Sequence, residues 1–408
     1  MHIFVRLIKD EKGKLILLSL LSLIVSFIIN VYGVAKVGFN NNLDDYYILY
    51  SIVSFAISAV FWPISNFCIN KVIDGELSCS DVISIYRLYG IFSIPFVVLI
   101  TLIFYQLNAN RELNWYLFAF FIIFHVVDIF YNFLQVQYQS NDDFLTFMTY
   151  STLSVFSQLL FVYFTVEKIG VYSLILSLIF SKFVFLFLSI NKIRYKENTR
   201  MSPVYYVFNE TKVFSLSSCY VKSGEVIDRF IMSSMSAGLL SSLAFSQRLS
   251  GAVSTVINSS MISPSITKLS HCEEKLDRYR ELYTRVIYCL FFVFIIYSGW
   301  FLVGESLIKF IISMSNDSHV YYEDIFNFTL FLLFLALVNP VSNMLNNYLI
   351  VIGKVRNMSI LDSFSYTFGI VLKFTFSIFW GAYGLVYALV LEATLKVLLK
   401  VIFISKVN

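Results

Sequence analysis

The sequence predicts an all-α integral membrane protein of twelve transmembrane helices, arranged as two six-helix bundles related by a parallel pseudo-twofold repeat. Three observations predict it. The 408 residues are 58% hydrophobic, 18% aromatic and only 14% charged, whereas a soluble domain carries about 25% charged residues. Apolar runs of roughly twenty residues, long enough to cross hydrocarbon as helices, recur along the whole chain. Basic residues alternate from one loop to the next.

The elements follow in order. Met1–Lys14 is basic, with Arg6, Lys9, Lys12 and Lys14, and precedes an apolar run from Leu15 to Val37. That run exceeds a signal-peptide core and lacks an evident small-residue cleavage site, so an uncleaved first span is expected. Further spans are expected over 46–69, 85–106, 113–136, 144–166 and 169–190, then over 212–236, 241–265, 284–304, 324–350, 358–379 and 383–404. Placing the N-terminus inside puts Lys71, Arg87, the Lys192–Lys212 cluster, the Lys268–Arg285 cluster, Lys354, Arg356, Lys400 and Lys406 on the cytoplasmic side. The other side keeps only Lys36, Arg111, Lys168 and Lys309. This is the bias the positive-inside rule requires, and it puts both termini in the cytoplasm.

The longest polar connection, 191–211, separates an N-terminal half (1–190) from a C-terminal half (212–408). An even number of helices per half gives both the same orientation, as a parallel repeat about an axis along the membrane normal requires. Trp62-Pro63-Ile64-Ser65 ahead of Lys71 is echoed by Ser263-Pro264-Ser265-Ile266 ahead of Lys268.

Several classes are excluded. The net charge of +4 is small, and nothing indicates a nucleic-acid partner. The five cysteines and four histidines are dispersed without metal-ligand or disulfide spacing, so neither a metal nor a cofactor is expected. No P-loop, nucleophile elbow or HExxH motif is present, and no enzyme is expected.

The chemistry concentrates between Phe214 and Pro264. At about 100° per residue, Ser215, Ser218, Lys222, Glu225, Arg229, Ser233 and Ser236 share one helix face. An ion at bilayer depth costs at least about 2.5–3.5 kcal/mol and therefore faces protein or a water-filled cavity. Two readings follow. Lys222 with Glu225 and Asp228 with Arg229 form structural pairs, or the stripe is one wall of a net-cationic cavity. Arg229 and Arg248 lie on either side of the Gly238 turn at similar depth, and arginine binds phosphate oxygens in a bidentate way. In span four His125, Asp128, Asn132, Gln135 and Gln139 share a face, either as an interhelical seam or as a site where Asp128 and His125 couple transport to a cation. Lys373 and Glu392 are expected as an ion pair across spans eleven and twelve. Pro340 is expected to break span ten among Asn339, Ser342, Asn343, Asn346 and Asn347.

Twelve spans in two halves, with Gly224-Glu225-Val226-Ile227-Asp228-Arg229-Phe230-Ile231-Met232, resemble the O-antigen (Wzx-type) polysaccharide flippases of the multidrug/oligosaccharidyl-lipid/polysaccharide exporter superfamily. Leu243-Ala244-Phe245-Ser246-Gln247-Arg248-Leu249 resembles the start of span eight there and in relatives that flip the peptidoglycan lipid precursor, where the arginine matching Arg248 belongs to the substrate cavity. Asp44-Asp45-Tyr46-Tyr47 resembles the first outer loop of the family, and Asp45 is the matching aspartate. The precursor flippases carry basic residues in span two, where this chain reads Ala59-Val60-Phe61-Trp62, and usually have fourteen spans, which argues against a peptidoglycan precursor.

The resemblance implies a flippase of the bacterial cytoplasmic membrane. Its substrate would be an undecaprenyl-diphosphate-linked oligosaccharide, its surroundings membrane lipid, and its partners other polysaccharide-assembly membrane proteins. Lys222, Arg229 and Arg248, with Glu225, Asp228 and Asp45, are the candidate substrate-binding residues. Asp128, His125, Glu392 and Lys373 are the candidate coupling residues. The rivals are a cation-coupled small-molecule exporter on the same fold and a membrane O-antigen polymerase or glycosyltransferase. The latter normally carries a large outer loop, which the segment 305–323 does not provide.

Overall fold

The computed structural model describes residues 11–73, 75–108, 111–141, 143–190, 203–257, 269, 274–313 and 322–407. Those residues form helices and no strand. The helices are α1 (Glu11–Val37), α2 (Asn41–Ala56, continued through a π turn at Ile57–Phe61 into Trp62–Ile73), α3 (Cys79–Leu107), α4 (Trp115–Ser140), α5 (Phe144–Ile169) and α6 (Val171–Ser189). They continue with α7 (Pro203–Ser233), α8 (Leu239–Ile257), α9 (Lys275–Ser313) and α10 (Tyr322–Val351). The last helical stretch, Val355–Val407, is interrupted at Gly381 into α11 (355–380) and α12 (382–407). A helix thus stands at each expected position among the described residues. Among the described residues, eight segments are long and apolar enough to cross a membrane, so the chain is a multi-pass membrane protein. The first ten residues, the 191–202 stretch of the linker and the echo motif at Ser263–Ile266 with Lys268 lie outside the described residues.

Local chemistry sets the helix starts. The Asn40 side chain accepts from the Leu43 amide at 3.1 Å, and Asn114 accepts from the Leu117 amide at 3.1 Å. Ser78 and Asp81 form a reciprocal capping box, satisfying two amides that would otherwise lack partners.

Pro340 does not break α10, which runs unbroken from Tyr322 to Val351. A proline removes one amide and frees one carbonyl, and a helix packed on both sides absorbs that loss as a bend. The irregular helix is instead α2, where the π turn at Ile57–Phe61 lies just ahead of Pro63. A carbonyl exposed there finds a new donor, because Ser218 Oγ of α7 donates to Ser58 O at 3.3 Å.

Contacts divide the chain into two compact units, Met1–Phe230 and Ile231–Asn408. In the first, α4 packs against α2, α3, α5 and α6, while α5 packs against α1 and α6. In the second, α10 packs against α8, α9 and the α11–α12 hairpin. The fourth helix of each set is thus the hub. The first core gathers Phe61, Cys68, Tyr86, Phe133, Phe147 and Phe185; the second gathers Leu282, Cys289, Met344, Tyr348 and Ile404. Lipid is as apolar as these side chains, so close packing rather than water exclusion holds them together.

The backbone repeats as well. Gly170, between α5 and α6, has φ 54° and ψ −130°; Gly381, between α11 and α12, has φ 57° and ψ −136°. Only glycine takes that conformation without strain. Gly38 and Gly238, which precede α2 and α8, match in turn with φ 80° and 84°. A parallel repeat places the same turn at the same point of each half.

The α11–α12 turn tolerates no side chain at two positions. A Cβ at Gly384 would fall onto the backbone carbonyl of Phe376, whereas one at Gly299 of α9 would meet nothing within 4 Å. Gly381→Ala and Gly384→Ala are therefore expected to lower the thermal midpoint of the purified protein, the first by a strain of at least about 1–2 kcal/mol. Gly299→Ala, measured alongside, leaves the midpoint unchanged or raises it.

Candidate functional site

The polar stripe of α7 meets α2 within the first unit. Arg229 is buried, and its Nε donates to Ser51 Oγ at 3.1 Å. Ser51 Oγ in turn donates to Glu225 Oε1 at 3.2 Å, and the Arg229 guanidinium lies 3.8 Å from that same oxygen. Glu225 thus pairs with Arg229, not with Lys222: both spacings suit a helix, and Ser51 bridges the Glu225–Arg229 pair. Asp228 is itself buried. Lys222 is exposed and has no hydrogen bond or ion pair among the described residues. A buried guanidinium fixed through Nε, beside an uncommitted ammonium about two turns away, is an arrangement suited to an anion with several oxygens. Arg248 stands on α8 of the second unit, half-buried.

A second cluster ties the start of α2 to the α3–α4 connection. Arg111 donates to Asp44 Oδ2 at 3.0 Å and lies 3.5 Å from Asp45 Oδ1, while Tyr105 donates to Asp45 at 3.2 Å. Asp44, Asp45 and Tyr105 are all buried. Two carboxylates on one guanidinium fasten this end of the bundle, and Asp45 is committed to that fastening.

The span-four residues part company. His125 is fully buried and shares a 2.9 Å hydrogen bond with Ser93 of α3. Asp128 turns to Lys182 of α6 at 2.8 Å, and Asn132 donates to the same carboxylate at 3.2 Å. Lys182 Nζ also sits 3.2 Å from the centre of the Tyr131 ring, a cation–π contact in a desolvated setting. Sequence reasoning missed Lys182, a lone cation in an otherwise apolar run whose partner stands on another helix.

The second unit repeats the device. Lys373 of α11 pairs with Glu392 of α12 at 3.1 Å, as expected. The Glu392 carboxyl lies against Gly369, where a Cβ would collide with it. One further cluster was unforeseen. Fully buried Lys400 reaches Asp362 at 2.7 Å and Ser342 of α10 at 2.8 Å, and Lys396 reaches the same aspartate at 3.4 Å. Its signal was the i, i+4 spacing of two lysines inside an apolar helix, with Ser342 already noted on the facing helix.

No group of histidine, cysteine or acidic side chains that could hold a metal occurs among the described residues. Cys68, Cys219 and Cys289 are free thiols.

Solved structures share the fold. The lipid II flippase MurJ in an inward closed conformation is 17% identical, with a TM-score of 0.73 over 96% of this chain and 87% of that one. An inward-facing multidrug resistance MATE transporter of the MOP superfamily is 10% identical, with a TM-score of 0.66 over 94% and 95%. An outward-facing MATE transporter is 13% identical, with a TM-score of 0.62 over 97% and 95%. No family model matches the chain, and no curated protein matches it. At these identities the likeness establishes the architecture: this chain has the helical fold of the MOP-superfamily flippases and transporters.

The Asp128–Lys182 pair supplies a direct test. Removing one partner of a buried pair leaves an uncompensated charge, at about 3–5 kcal/mol. Lys182→Met is expected to lower thermal stability in detergent by that order. The double variant Lys182→Met/Asp128→Leu recovers most of the loss.

Proposed function

We propose that the protein flips an undecaprenyl-diphosphate-linked oligosaccharide repeat unit from the cytoplasmic to the outer leaflet of the bacterial cytoplasmic membrane. The observation that carries this reading is the pairing of a lipid-flippase fold with the Lys222–Arg229 stripe. The fold is that of a lipid II flippase at a TM-score of 0.73. The stripe offers one fixed guanidinium and one ammonium without a protein partner among the described residues. In this reading Arg229, Arg248 and Lys222 bind the diphosphate at successive depths. Glu225 and Asp228 temper the positive charge so that binding stays reversible, and hydroxyl groups of the stripe contact sugar. The prenyl chain stays in lipid. All twelve helices cross the membrane, both termini face the cytoplasm, and the halves 1–190 and 212–408, joined by 191–211, alternate access to the two sides. Asp45, held by Arg111 and Tyr105, secures the outer end. Coupling to a cation would use Asp128 with His125, or Glu392 with Lys373. Other polysaccharide-assembly membrane proteins would act before and after it.

A second reading, a cation-coupled exporter of small molecules, draws on the multidrug transporters that share the fold at TM-scores of 0.66 and 0.62. The basic stripe argues for an anionic substrate instead.

Deleting the gene is expected to leave lipid-linked repeat units on the cytoplasmic face and to abolish surface polysaccharide. Wild type restores both. Well-expressed Arg229→Ala/Arg248→Ala does not, and Lys222→Ala lowers the flipping rate about tenfold, the effect of losing one charge-assisted bond. Normal surface polysaccharide without the gene, with no redundant transporter, would move the assignment to the exporter. Wild-type flipping by the double arginine variant would remove the diphosphate role.

A further inference from the structure

A groove of about 420 Å³ runs between α3 and α4 in the first unit, bounded by Arg87, Gly90, Ile91, Ile94, Phe130 and Phe133. It is far larger than the voids of a packed core. Its walls are hydrocarbon, and Ile91 and Phe130 are each 56% exposed, so it opens outward rather than into the bundle. Water does not settle in a space with so few polar partners. In a membrane the filler is hydrocarbon.

What distinguishes this groove is a single cation. Arg87 is the one charged residue that lines it, is exposed, and forms no ion pair among the described residues. The other basic group nearby in sequence is already neutralised, Lys71 with Glu76 at 2.8 Å. From Ile83 to Ile94 the lining covers about 16 Å of helix, roughly half the hydrocarbon thickness and hence one leaflet. With the topology set by the loop charges, that leaflet is the cytoplasmic one, and an arginine stem carries its guanidinium to the head-group level. An apolar trough one leaflet long, carrying one cation about 6 Å along the helix from its Ile83 end, is complementary to an amphiphile with an anionic head. The corresponding space in the second unit, about 400 Å³ between α9 and α10, is lined by Leu290, Phe294, Tyr297, Phe334 and Leu337. Among the described residues, no cation lines it.

We propose that the α3–α4 groove is a binding site for an anionic phospholipid of the cytoplasmic leaflet, with its phosphate on Arg87 and an acyl chain over Gly90. Gly90 forms the floor. A Cβ there would meet Ile129 at 3.5 Å, an ordinary contact, so alanine fits and a longer side chain fills the groove. This site is independent of which solute the protein moves.

The test places a photo-crosslinking residue at Ile91, with a control at lipid-facing Leu102 on the far half of α3. Full-length protein is reconstituted in nanodiscs containing both phosphatidylglycerol and phosphatidylcholine. Capture at Ile91 is expected to favour phosphatidylglycerol about fivefold, the effect of one basic group at a membrane surface. Arg87→Gln abolishes that preference, Gly90→Leu abolishes capture, and Gly90→Ala leaves both unchanged. Should Gly90→Leu fail to fold, Arg87→Gln alone carries the test. Capture at Ile91 no different from Leu102, or a preference that survives Arg87→Gln, overturns the proposal. So does preferential capture of prenyl diphosphate over phosphatidylglycerol in host membranes, which would assign the groove to the transported lipid. A transport defect with normal capture bears on the proposed function alone.

Discussion

A charge inside hydrocarbon has no water to solvate it, and the helix packing of both units is organised around that constraint. Asp128 is answered by Lys182, Glu392 by Lys373, and Asp362 by Lys400 with Lys396. In each case the partner comes from a neighbouring helix of the same unit, so the pair also fixes the register between two helices. The same constraint governs the backbone. A π turn next to Pro63 leaves carbonyls without helical donors, and Ser218 supplies one. Net stabilisation by such pairs is small, because desolvation offsets most of the Coulomb term, whereas losing one partner is expensive. The pairs therefore select one packing.

Against that background the uncompensated cations stand out. Lys222 and Arg87 are both exposed and both without an ion pair among the described residues. They differ in setting. Lys222 shares a helix face with the fixed Arg229, a setting for an anion that binds and leaves. Arg87 lines an apolar trough, the setting proposed for a bound lipid. Under the two proposals, phosphate is the group both recognise, one on a transported molecule and the other on a component of the bilayer.

The repeat supplies the frame. Gly170 and Gly381 adopt nearly the same backbone angles at equivalent points, and α4 and α10 are hubs of equivalent neighbourhoods. Yet the halves are chemically unlike. The first compact unit carries the α2–α7 seam and the Arg111 fastening, and the second unit carries the lysine-rich α11–α12 hairpin. A duplicated scaffold keeps its turns because glycine geometry has no substitute there, while side chains between the turns diverge.

The helices and their order were legible because hydrocarbon thickness imposes a length that a linear chain displays directly. The Gly238 turn and the Lys373–Glu392 pair were readable for the same reason, since a short hairpin brings nearby residues to equal depth. The partners of Asp128, Arg229 and Lys400 were not. Each depends on which helix stands beside which and at what rotation, and no periodicity within one helix carries that. The stripe on α7 illustrates the division. Sequence alone put Ser218, Lys222, Glu225 and Arg229 on one face, because 3.6 residues per turn requires it. Only the packing of α2 decided that Ser51 would hold Arg229, that Ser58 would take Ser218, and that Lys222 would be left exposed, because hydrogen-bond partners are chosen by distance in space.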